Sequence, residues 1–182
     1  MENATTLYEK KHQSLINRAY ASPSLRQNIL NAGMICLYCD FSGHDEHNFC
    51  GLACCFVHNK TIKVYAKKVP FEYIGNSVYG ELLAILYSLE ILGEELRDVL
   101  SDHRPKIALL YTDYSRIAQL LSSIHHSKPI YEEIGNRIAI THNDLEIRYP
   151  GVEVRVKYIS KHKKNNALHK MAHIAARKTI GK

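Results

Sequence analysis

Two rhythms of apolar residues alternate along the chain, and they predict its elements. Met34 to Asp40 is a short apolar run bounded by Gly33 and the turn Phe41-Ser42-Gly43, so its length favours a buried strand over a helix. Phe49 to Val57 and Thr61 to Ala66 predict two further strands joined through His58-Asn59-Lys60. From Ser77 to Leu92 the period becomes helical, with Leu82, Ile85, Leu86, Leu89 and Leu92 on one stripe and Glu81 at its margin. Lys106 to Thr112 is again strand-like and runs into Asp113. Helical patterns follow from Ser115 to about Ser123 and from Ile130 to about Ile147, and Val152 to Ile159 alternates as a half-exposed strand does. After the polar loop Lys161 to Asn166, Asn165 or Asn166 can cap a last helix whose stripe is Leu168, Met171, Ala172, Ala175 and Thr179, with His169 at the edge.

Ahead of these lie residues 1–33, which read as a helical N-terminal appendage of unassigned role. Leu7, Leu15, Ile16 and Ala19 can share one face, and Ser22-Pro23 opens a second short helix that stops before Gly33. The remainder, 34–182, reads as one α/β domain: three strands able to form an antiparallel meander, with parallel strands added through helical crossovers.

Charge changes the picture at one end. The 182-residue chain has a formal charge of +6, yet ten Lys/Arg face Glu153 alone between Arg148 and Lys182, so that stretch carries +9 and the rest −3. Such a concentration suits a phosphate backbone. No run is long and apolar enough for a membrane span, and the N-terminus is charged where a secretion signal would be apolar, which points to a soluble cytoplasmic protein. The five cysteines, Cys36, Cys39, Cys50, Cys54 and Cys55, lie in or beside strand-like runs and suit reduced, buried thiols.

The candidate chemistry lies where elements end. Asp40 and Asp113 each close a predicted strand, and in open α/β sheets active groups gather at strand carboxyl ends. A helix beside them can deliver Glu81. Three carboxylates brought together repel unless a divalent cation neutralises them, and oxygen donors suit Mg²⁺ or Mn²⁺. The reaction best served is phosphodiester hydrolysis assisted by two ions.

In order and context these segments resemble the type 1 ribonuclease H family. The carriers are Tyr38-Cys39-Asp40-Phe41-Ser42, Gly51-Leu52-Ala53, Glu81-Leu82-Leu83-Ala84, Tyr111-Thr112-Asp113-Tyr114-Ser115, and His162 ahead of Asn165-Asn166-Ala167-Leu168-His169. The resemblance implies a ribonuclease H-like fold with a five-stranded mixed sheet and flanking helices. It also implies a metal-dependent endonuclease that hydrolyses the RNA strand of an RNA–DNA hybrid with two Mg²⁺ or Mn²⁺ ions and no small-molecule cofactor. Asp40 would bridge the ions, Glu81 and Asp113 would complete their shells, and His162 would assist proton transfer or product departure. Asn76 and Ser77 fall where the family touches the nucleic-acid backbone.

The departures matter as much. His169 stands where the family usually has a fourth Asp, retaining a catalytic metal ligand of softer, neutral character. The chain has no Trp, so the Trp-bearing basic protrusion of some bacterial members is absent, and residues 1–33 lack the pattern of the hybrid-binding module. Hybrid affinity would then come from the sheet-side groove and from the basic segment with Lys161, Lys163 and Lys164. The rival readings are a nucleic-acid-binding module of this fold with weak or no catalysis, and another nuclease or polynucleotidyl-transfer activity on the same fold. A zinc site from Cys36, Cys39, His44, His47, Cys50 and Cys54 is disfavoured, because residues three apart on a strand face opposite ways.

Overall fold

The structure, a computed structural model, describes residues 4–43, 48–73, 75–99, 104–122 and 129–182, with the side chains of residues 4–8, Lys161 and His162 outside the described set. Two helices, α1 (Ala4–Ala21) and α2 (Pro23–Leu30), precede three strands, β1 (Met34–Gly43), β2 (Phe49–His58) and β3 (Thr61–Pro70). Then come α3 (Ser77–Arg97), β4 (Ile107–Thr112), α4 (Ile117–Ser122), α5 (Pro129–Arg148), β5 (Glu153–Tyr158), a short 3-10 helix (Ser160–Asn165) and α6 (Ala167–Thr179). The sequence predicts the same order of elements. The first three strands extend past their predicted ends, because antiparallel pairing continues through Gly43↔Cys50 and Phe49↔Pro70 where the apolar pattern has already faded. Ser123, the predicted end of α4, lies outside the described residues.

The sheet has the order β3-β2-β1-β4-β5. β1, β2 and β3 form an antiparallel meander, while β4 and β5 add in parallel beside β1. Asn59 and Lys60 make the β2–β3 hairpin turn with φ of 43° and 68°, the pair of positive angles that matches a tight turn to strand twist. Period-two alternation sends Ile35, Leu37 and Cys39 of β1 into a core with α3 and α5, and Cys36 and Tyr38 into a second core with α6. The five cysteines are free and buried, and Cys36 and Cys39 belong to different cores, as the strand reading requires. His44 and His47 lie outside the described residues.

The helices α1 and α2 add to this second core. Leu15, Ala19, Leu25 and Ile29 are buried with Met171, Ala172 and Ala175 of α6. Backbone N–H groups of Asn59 and Lys60 donate to the carbonyls of Asn31 and Ile29, tying the end of α2 to the β2–β3 hairpin. Among the described residues, no helix is long and apolar enough to cross a membrane.

Candidate active site

The register of two parallel strands sets the site. β1 and β4 pair from Met34↔Ile107 to Tyr38↔Tyr111, whose rings stack 5.1 Å apart, and pairing stops there. Asp40 and Asp113 each lie two residues beyond that last pair. By alternation both fall on the face carrying Tyr38 and Tyr111, which is the face covered by α6. Thr112 is buried, and its hydroxyl oxygen accepts from the Tyr114 N–H, shaping the turn that presents Asp113.

α6 brings the next groups. Asn166 caps it, the side-chain oxygen accepting from the His169 N–H at 2.9 Å, so the first turn and its imidazole are held in place. Gly51 of β2 allows the helix to approach, since a Cβ there would overlap the Ala176 carbonyl and the Thr179 hydroxyl. His169 and Asp40 are each only 2% exposed, with His169 Nε2 3.5 Å from Asp40 Oδ1. His173, one turn later, places Nδ1 3.0 Å from Asp40 Oδ2. Donor atoms of Asp40, Asp113 and His169 all lie within 4.8 Å of one another.

Glu81 comes from α3, on the opposite layer, and reaches the carboxylates where β1 and β4 no longer pair. Burial, followed by the charges of Asp113 and Asp40, raises its pKa well above the ordinary value. Asp113 behaves differently. Burial would raise it, but the Lys163 ammonium and a hydrogen bond from Glu81 outweigh burial and hold it low. Lys163, on the 3-10 helix, donates to Asp113 Oδ2; burial would lower its pKa, but the surrounding carboxylates hold the ammonium charged. Burial lowers His169, with Asp40 and Asp113 opposing. The ion-free cluster thus limits its negative charge through a proton-retaining Glu81 and the Lys163 cation.

These residues fit a divalent ion. Glu81 Oε2 and His169 Nε2 are buried without a hydrogen-bond partner, and buried polar atoms of that kind are costly unless a ligand completes them. Carboxylate oxygens with one imidazole form a donor set suited to Mg²⁺ or Mn²⁺.

The remaining sequence candidates are placed less directly. Asn76 caps α3, its side-chain oxygen accepting from both the Tyr79 N–H and the Tyr131 hydroxyl, which leaves its amide NH₂ for other partners. Ser77 and Lys164 are exposed. Lys163 lies in the acid cluster itself, whereas sequence reasoning assigned it to nucleic-acid binding. The side chains of His162 and Lys161 lie outside the described set. The spacing of four between His169 and His173 allows the two to pair on a metal, although an exposed surface pair is the commoner case at that spacing; the structure sets His173 against Asp40.

The chain has a ribonuclease H-like fold. An N-terminal RNase H domain from Mycobacterium tuberculosis is similar to it with a TM-score of 0.51 at 8% identity, covering 81% of this chain and 99% of that one. RNase H1 from the halophilic archaeon Halobacterium salinarum matches with a TM-score of 0.50 at 13% identity, over 78% and 98% of the two chains. LC11-RNase H1, isolated from compost by a metagenomic approach, matches with a TM-score of 0.51 at 16% identity, over 82% and 99%. No protein-family model matches the chain, and no curated protein matches it by sequence.

Proposed function

We propose that this protein is a metal-dependent endonuclease that hydrolyses the RNA strand of RNA–DNA hybrids. The observation that carries the reading is the convergence of Asp40, Asp113 and His169, with Glu81 against them, just beyond the last β1–β4 pair of a ribonuclease H-like sheet. In this reading Asp40, Glu81, Asp113 and His169 would hold two divalent ions. The ions, Mg²⁺ or Mn²⁺, supply positive charge for the attacking and leaving oxygens of the scissile phosphodiester. Asp40 is held for that role by the strand register and by burial beneath α6. Lys163, paired with Asp113 here, would with Lys161 and Lys164 supply cations for a backbone phosphate. His162, on the same 3-10 helix, would exchange a proton with the departing product.

The test is incubation of purified protein with labelled hybrid, double-stranded RNA, double-stranded DNA and single strands, with Mg²⁺, with Mn²⁺ and with chelator. Hybrid-selective, chelator-sensitive cleavage is expected, and Asp40→Asn should lower the rate about a thousandfold or more without loss of helical circular dichroism. A purified Asp40→Asn variant with an unchanged rate would assign the activity elsewhere. The Lys163–Asp113 ion pair favours a second reading, a nucleic-acid-binding module in which the ammonium does the neutralising. Tight hybrid binding without cleavage under any ion would select it.

A further inference from the structure

We infer that His173 is a metal ligand, and that with His169 it makes this centre favour cations that accept nitrogen donors, Co²⁺ and to a lesser degree Mn²⁺, over Mg²⁺. The inference rests on the ion-dependent reading of the same cluster but not on its nucleic-acid substrate.

Residues four apart on a helix share a face, and two histidines at that spacing are a recurrent way for one helix to present imidazoles to metal chemistry. On α6 the pair is His169 and His173, and both rings meet the same side chain. Asp40 Oδ1 faces His169 Nε2 at 3.5 Å, while Asp40 Oδ2 faces His173 Nδ1 at 3.0 Å. Each oxygen of the carboxylate therefore has its own imidazole.

Those separations match coordination. With metal–ligand bonds of about 2.1 Å, adjacent donors on one ion lie about 3.0 Å apart in octahedral geometry and about 3.4 Å apart in tetrahedral geometry. An ordinary hydrogen bond explains the 3.0 Å contact of His173 equally well in length. It does not explain His169, whose Nε2 is buried beside Asp40 and Asp113 without a hydrogen-bond partner. That orphaned nitrogen points to an ion on the Oδ1 side. A second ion sharing Asp40 then falls on the Oδ2 side, where His173 is the donor already present. The side chain of His173 is 45% exposed, so that ion would be open to solvent and to an incoming phosphate. Two imidazoles in place of oxygen donors shift preference away from Mg²⁺, which favours hard oxygen ligands, toward cations that accept nitrogen.

The test is calorimetric titration of chelator-stripped full-length protein, without nucleic acid, using MnCl₂, CoCl₂ and MgCl₂, with pulsed EPR of the Mn²⁺-loaded form. Wild type should show nitrogen couplings from two imidazoles. His173→Gln keeps a hydrogen-bonding amide beside Asp40 and, with circular dichroism as the check on folding, should lose one of those couplings. It should also bind Co²⁺ and Mn²⁺ at least about tenfold more weakly while Mg²⁺ affinity stays within about twofold. Wild-type Co²⁺ affinity in His173→Gln, unaltered nitrogen couplings, or a wild-type protein that takes up no ion would each overturn the inference. Persisting His173-dependent uptake in a protein that does not cleave hybrids would support it while overturning the substrate assignment.

Discussion

Burial pushes Glu81 and Asp113 the same way, yet their pKa values end on opposite sides of the ordinary carboxylate range because Lys163 and a Glu81 hydrogen bond hold Asp113 low, and the difference is measurable. With its pKa raised in the folded chain, Glu81 keeps a proton where the unfolded chain has lost it, so ion-free stability falls as pH rises above the ordinary value of 4.5. His169, lowered by burial, slopes the other way below its ordinary 6.5, because the unfolded chain takes up the proton first. The difference between wild type and Glu81→Gln isolates the first contribution. In chelator, Glu81→Gln should gain thermal stability over wild type progressively from pH 4.5 upward, reaching about 3 °C near pH 7. Thermal melts across that range check it, and a constant difference would mean that Glu81 does not retain its proton.

At the scale of elements, the docking of α6 on β2 decides whether the imidazoles meet Asp40. Gly51→Ala forces a methyl group into the Ala176 carbonyl, which is backbone and cannot rotate away. Chemical denaturation should show a loss of about 2–3 kcal/mol, and hybrid cleavage should fall with it because His169 and His173 move with the helix. Asn166→Ala removes the cap that holds the His169 N–H and should cost about 1 kcal/mol. On α3 the same device recurs, with Asn76 capping the helix that carries Glu81 and Tyr131 of α5 donating to the same oxygen. An Asn76 variant would therefore disturb ion binding as well as any backbone contact.

Over the whole molecule, the two cores enclose the thiols. Burial pushes Cys36, Cys50 and Cys54 up to about 12, and Cys39 and Cys55 well above the ordinary value. Since the thiolate is the reactive form, iodoacetamide at pH 8 should label none of the five in native protein and all five after denaturation, as read by mass spectrometry. Charge acts at the same scale. Replacing Lys161, Lys163 and Lys164 together by Gln should weaken hybrid binding across sequences and flatten its logarithmic salt dependence by up to about three phosphate contacts. Wild-type affinity and slope in that variant would make the basic run a solvated surface.

Much of this was written in the pattern of residues. Short apolar runs closed by Gly33, Gly43 and Asp113 specify strands, the Leu82–Leu92 stripe specifies α3, and an Asn ahead of the Leu168 stripe specifies the start of α6. Alternation alone puts Cys36 and Cys39 on opposite faces. Spacing along the chain cannot say which strands are neighbours, because that depends on crossovers and on the packing of both sheet faces at once. Only the tertiary structure pairs Tyr38 with Tyr111 and so brings Asp40 beside Asp113. The same holds for two further pairings at the site. Lys163 pairs with Asp113, 50 positions away in sequence, and His173 with Asp40 at a separation of 133, because long-range electrostatics act through space after β4 and α6 have docked. Local periodicity decides what each element is; the closing of strands and helices around one another decides which charges must live together.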